Sequence, residues 1–158
     1  MKNKKLNLFL GIVIAVCAIV AIFGFFGDAF ADIDDVNAGR GAVYSLMFSF
    51  KKHNYNVMPS LIAAFVCVVT ATVTALLASF LPGKLATLNF AITAILLIAV
   101  GVICLFGKNI FLSAGTVSGA TDLDSSKLGL GVGFILPAVF AFIGGALSAY
   151  GTYTSLKA

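Results

Sequence analysis

Glutamate and tryptophan are absent from this chain, histidine and arginine each occur once, and charged residues make up only 10% of its 158 positions. With 61% hydrophobic residues alongside, there is too little polar surface to solvate a water-soluble fold of this length. The missing Glu and near-missing His also remove most of the side chains that perform general acid–base chemistry. His53 sits in Lys51-Lys52-His53-Asn54 with no nearby acid to orient it, so it reads as a solvated turn residue. Asp32, Asp34 and Asp35 lack the spaced oxygen ligands and closing Glu of a calcium loop, and Ser125 and Ser126 have no catalytic context. No phosphate-binding loop, dinucleotide fingerprint or zinc motif occurs. No enzyme activity, cofactor or metal site is expected. The three cysteines, Cys17, Cys67 and Cys104, all fall in apolar sequence and provide no outer disulfide framework. They read as small packed hydrophobes.

Long uncharged runs take the place of what is missing. Residues 6–27, 57–81, 85–107 and 128–150 contain no Asp, Lys, Arg or His, and each exceeds the roughly 20 residues that one helical crossing of a bilayer needs. The expected fold is an all-α membrane protein, a single domain forming a four-transmembrane-helix antiparallel bundle. The first run follows Met1-Lys-Asn-Lys-Lys5 and precedes Ala29-Phe30-Ala31, a pattern shared with cleaved secretory signals. Its length passes the 7 to 15 apolar residues of a signal core, roughly speaking, and favours a retained span. A lipid-modified Cys17 is disfavoured by the bulky Val16 before it.

Orientation rests on where Lys and Arg lie. Lys2, Lys4, Lys5, Lys84 and Lys157 fall on one side, and Arg40, Lys51, Lys52, Lys108 and Lys127 on the other, so the count ties. Three lysines in the first five residues, and all six aspartates on the opposite side, break the tie. Both termini are expected in the cytoplasm, with outer loops at 28–56 and 108–127, an inner turn at 82–84 and an inner tail at 151–158. Nine Lys against one Arg, short loops and no N-x-S/T acceptor suit a bacterial inner membrane. The net charge of +4 comes from lysines at membrane edges, which match lipid headgroups better than nucleic acid.

The inner turn, Leu81-Pro82-Gly83-Lys84, combines a fixed φ with a residue that tolerates positive φ. It makes the second and third spans antiparallel neighbours. In the outer loops, 41–50 and 109–117 mix β-branched and aromatic residues and are expected as strands that pair in a small outer sheet. The alternative is a pair of interfacial segments with aromatic anchors. Tyr44, Met47, Phe48 and Phe111 are the candidate outer-loop contacts.

This layout of inner termini, larger first outer segment with strands, short inner turn and smaller second outer segment resembles the claudin-like tetraspan membrane proteins. The chain departs from the claudin signature in having no Trp and no outer cysteine pair. The resemblance implies a left-handed bundle with an outer sheet and lateral self-assembly, and carries over no functional residue.

Within lipid, helices associate by close packing of small residues, since hydrocarbon offers no hydrophobic drive. The fourth run is richest in them: Ala141, Gly145 and Ala149 form one stripe, Gly144 and Ser148 lie beside it, and Gly129 and Gly133 extend the smooth face. Such stripes serve either packing within the chain or contact with another subunit. Pro137 predicts a bend, and Asn89 is an amide well inside a span. No ionisable side chain lies within the runs to carry an ion or proton. The expected role is structural: lateral self-association through small-residue faces and outer loops, with membrane lipid and either a homo-oligomer or another membrane protein as partners. The alternative is an accessory subunit of a larger transport or export complex.

Overall fold

The structure is a computed structural model in which residues 2–31, 43–47, 58–114 and 129–157 are described; 88% of them are helical. Four long helices, α1 (Lys2–Gly24), α3 (Pro59–Phe80), α4 (Gly83–Leu105) and α6 (Val132–Leu156), are each long and apolar enough to cross a membrane. Two short helices, α2 (Val43–Met47) and α5 (Gly107–Ala114), and two short strands, β1 (Phe30–Ala31) and β2 (Gly129–Leu130), complete the described elements.

Each long helix is apolar all round, and its buried face combines small residues with a few large ones such as Ile14, Leu61, Phe90 and Phe134. In α1 the buried positions Gly11, Ala15, Ala18 and Ala21 are small, whereas Phe9, Ile12, Val16 and Phe23 are exposed. The same sorting holds in α3, where Ala64, Ala71, Ala75 and Ala78 are buried and Val66, Val73, Leu77 and Phe80 are exposed. Water would disfavour so much exposed bulk. Hydrocarbon tolerates it, while small inner residues let backbones approach.

The long helices pack in four neighbouring pairs: α1 with α3, α3 with α4, α4 with α6, and α6 with α1. Leu81 and Pro82 alone separate α3 from α4, and Gly83 takes up the reversal at φ +58°, a backbone conformation that costs glycine little. At the same end of the molecule, Gly11 of α1 lies directly against Ser79 and the Ala75 carbonyl of α3. Ser155 near the end of α6 donates to Asn7 Oδ1 of α1 at 3.3 Å. The start of α1, the end of α3, the start of α4 and the end of α6 therefore gather together.

The opposite end holds the short elements. β1 and β2 pair antiparallel, with Phe30 opposite Leu130 and Ala31 opposite Gly129. The last turn of α1 leaves carbonyls without partners in its own helix, as every helix end does. Those of Ile22, Phe23 and Gly24 are taken by the amides of Phe25, Phe26 and Gly27 just beyond the helix, and the first amides of α2 bond to that following segment: Tyr44 N donates to Phe25 O at 2.9 Å and Val43 N to Gly27 O at 3.2 Å. Gly131 N and Gly133 N, at the start of α6, donate to Ala29 O and Asp28 O, both at 2.8 Å. Three chain segments are thus joined by backbone bonds at this end.

These elements correct the expected strands. Within 41–50, the residues Val43–Met47 are helical, and within 109–117, the residues 109–114 belong to helix α5. The burial pattern gives the reason. Val43 and Met47 are both buried and Tyr44 is exposed, a spacing of four that one helical turn places on a single face. In α5, Gly107 and Phe111 are buried while Asn109 and Ser113 are exposed, again a spacing of four. The strand pairing that does form uses residues 30–31 and 129–130, just outside the long helices.

Candidate functional site

Most of the small-residue stripe of α6 is occupied within the chain. A Cβ on Gly144 would lie 2.9 Å from Leu97 Cδ1 of α4 and 3.4 Å from Cys17 Cβ of α1. One on Gly145 would lie 3.0 Å from Ile98 Cγ1. Ser148 is fully buried and donates to the Phe90 carbonyl of α4 at 2.7 Å. Ala141 is fully buried, and Gly133 lies against the Gly27 carbonyl and Val43. Gly129 is half-buried in β2, and Ala149 is exposed. Of these seven residues, only Ala149 faces outward.

The outer-loop candidates divide in a similar way. Tyr44 is exposed and its ring meets Phe26 at 5.2 Å between centroids. Met47 is buried, and Phe111 is buried beside Phe30 at 4.8 Å. Phe48 lies outside the described residues. Phe30 also meets Phe134 at 5.8 Å, so three aromatic rings from the loop, α5 and α6 close this end. Phe30 and Phe134 were not singled out in the sequence, since an isolated Phe in an apolar run carries no signal of its contacts.

A second joint missed in the sequence pairs Gly24 of α1 with Pro137 of α6. A Cβ on Gly24 would lie 2.6 Å from Pro137 Cδ and 2.7 Å from Cγ. The proline therefore does more than interrupt a hydrogen-bond ladder: its ring fills a notch that a glycine leaves open.

Polar side chains in the long helices are engaged internally. The Thr74 and Thr93 hydroxyls are 2.7 Å apart across the α3–α4 contact. Thr93 Oγ1 also lies 2.8 Å from the Asn89 carbonyl, to which it is placed to donate, and Asn89 donates its amide to Leu85 O at 2.9 Å. Asn89 thus bonds along its own helix and not across to another. Among the described residues, every buried side-chain nitrogen or oxygen has a hydrogen-bond partner. Buried side-chain polar atoms that would otherwise await a ligand are not present there, and the bonds of Thr74 with Thr93 and of Ser148 with Phe90 serve helix association. His53 and five of the six aspartates lie outside the described residues.

The four apolar helices and their outward-facing bulk define the class of molecule: a multi-pass membrane protein. Comparison with family models, curated proteins and solved structures finds no match to the chain. The claudin-like assignment therefore has no support from these comparisons.

Proposed function

We propose that this chain is a small structural or interaction protein of the membrane, an antiparallel four-helix bundle that works by lateral association. The observation that carries this reading is the internal use of its polar groups: the hydroxyls of Thr74, Thr93 and Ser148 and the amide of Asn89 are bonded within the chain, and the outward faces are predominantly apolar. A surface of this kind serves contact better than chemistry or ion passage. Because Ala141, Gly144, Gly145 and Ser148 are buried inside one chain, self-association falls to the outward faces and to the loop end near Tyr44. In this reading the loop end, with its paired strands, is extracytoplasmic, and both termini are cytoplasmic.

The alternative reading, an accessory subunit of a larger transport or export complex, uses the same surfaces with a different neighbour. The test is the mass of the complex purified in mild detergent from its native membrane, with co-purifying proteins identified. A homogeneous multiple of 16.4 kDa is expected for self-association, and a defined larger partner would favour the subunit reading. A lone 16.4 kDa chain under gentle extraction would overturn the interaction role altogether.

A further inference from the structure

The outward-facing rows of three long helices end in lysine at the same end of the molecule. On α1 the exposed row runs Phe23, Ile19, Val16, Ile12, Phe9 and then Lys5. On α4 it runs Ile95, Ile92, Leu88 and then Lys84. On α6 it runs Ile143, Ala146, Tyr150, Tyr153 and then Lys157. The spacings of three and four residues keep each lysine above its own apolar row. Lys157 Nζ lies 4.3 Å from the centre of the Tyr153 ring, so the side chain extends along the apolar surface with its charge at the rim. Tyrosines in such a row belong at headgroup depth.

Charge at the two ends is unequal. The helix ends gathered here carry Lys2, Lys4, Lys5, Lys84 and Lys157 and no carboxylate side chain, whereas the stretches 28–56 and 108–127 of the sequence carry five cations and six aspartates. Among the described residues, the opposite end has the half-buried Lys108 and the exposed Asp28. We infer that the lysine-tipped rows form a binding surface for anionic phospholipid. The acyl chains lie along the apolar rows and the headgroup phosphates meet Lys4, Lys5, Lys84 and Lys157. The occupant is a lipid and not a soluble anion, because every exposed row that ends in lysine continues as a hydrocarbon-facing stripe. This inference rests on the bilayer-spanning reading and is independent of which protein partner the chain has.

Native mass spectrometry of the detergent-solubilised protein tests it, with phosphatidylglycerol and phosphatidylcholine of identical acyl chains added in equal amount. Preferential retention of phosphatidylglycerol is expected, about fivefold for each lysine that contacts a headgroup. The variant Lys4→Gln/Lys5→Gln/Lys84→Gln/Lys157→Gln is expected to lose that preference while binding phosphatidylcholine as before, which also reports that it is folded. Lys108→Gln at the other end is expected to leave the preference intact. Equal retention of the two lipids by the parent protein overturns the inference, as does a preference that survives in the quadruple variant or disappears in Lys108→Gln. Loss of a protein partner in the mass measurement would bear on the proposed function and leave this lipid preference unaffected.

Discussion

Gly11 and Thr93 represent two ways in which single residues hold helices together in this molecule. Gly11 has no side chain, and α3 fills the space through Ser79 and the Ala75 carbonyl. Thr93 reaches across the α3–α4 contact to Thr74. The hydrogen bond is the weaker device, because Thr74 keeps the carbonyls of Thr70 and Ala71 within reach at 3.1 Å when its partner is lost. Interhelical polar pairs in membranes average about 0.6 kcal/mol. Adding a branched side chain to a filled space costs about 1 to 3 kcal/mol, and here part of the obstruction is backbone. Gly11→Val is therefore expected to destabilise the protein more than Thr93→Val does, by about 1 to 3 kcal/mol against about 0.6 kcal/mol. Denaturant titration of the helical signal in micelles measures both. A larger loss in Thr93→Val would mean that hydroxyl bonding, and not close packing, dominates the association.

Between α1 and α6 the same reasoning operates on whole elements, since the notch at Gly24 receives the Pro137 ring. A proline ring cannot rotate aside, so the strain of a side chain at residue 24 must move the helices. Gly24→Val is expected to destabilise by about 1 to 3 kcal/mol. Adding Pro137→Ala removes the ring and is expected to recover part of that loss, with the double variant more stable than Gly24→Val alone. Additive losses in the double-mutant cycle would show that the two residues do not act on one another. How much of these elements the sequence disclosed depends on length. The four long helices were legible because a run of uncharged residues longer than a bilayer crossing has few other solutions. The small-residue stripe of α6 was legible too, but Gly144 and Gly145 in sequence do not say whether the facing surface is Leu97 and Ile98 of the same chain or a second subunit. In the short elements the period decided the outcome and was too brief to read: Val43–Met47 is one turn and a fraction, and its β-branched and aromatic residues imitate a strand. The two-residue pairing of β1 with β2 depends on where α1 ends and α6 begins, which residues 30–31 and 129–130 do not encode by themselves. The Gly24–Pro137 joint is non-local in the same sense, bringing together residues that lie in the first and last long helices.

Across the whole molecule, the packing of helix ends fixes relative sidedness. Gly11 against Ser79, Asn7 with Ser155, and Phe90 with Ser148 bring the start of α1, the end of α3, the start of α4 and the end of α6 to one end. If these helices cross a bilayer, Lys5, Lys84 and Lys157 must share a side, and Asp28 and Asn109 must lie on the other. All five are exposed, so each accepts a reporter cysteine without disturbing the interior. In a background in which Cys17, Cys67 and Cys104 are replaced by Ala, single cysteines at these five positions are expected to divide into two groups towards a membrane-impermeant maleimide applied to intact cells. Asp28→Cys and Asn109→Cys label directly, and Lys5→Cys, Lys84→Cys and Lys157→Cys label only after the membrane is opened. The expected direction rests on the three lysines among the first five residues and on the six aspartates of the stretches 28–56 and 108–127, since the Lys and Arg count alone is balanced at five against five. A clean division with the opposite sign would keep the four crossings and reverse the orientation, placing the lysine-tipped rows in the outer leaflet. Labelling of Lys84→Cys and Asn109→Cys from the same side would mean that α4 does not cross, and the bilayer-spanning arrangement of all four helices would fall with it.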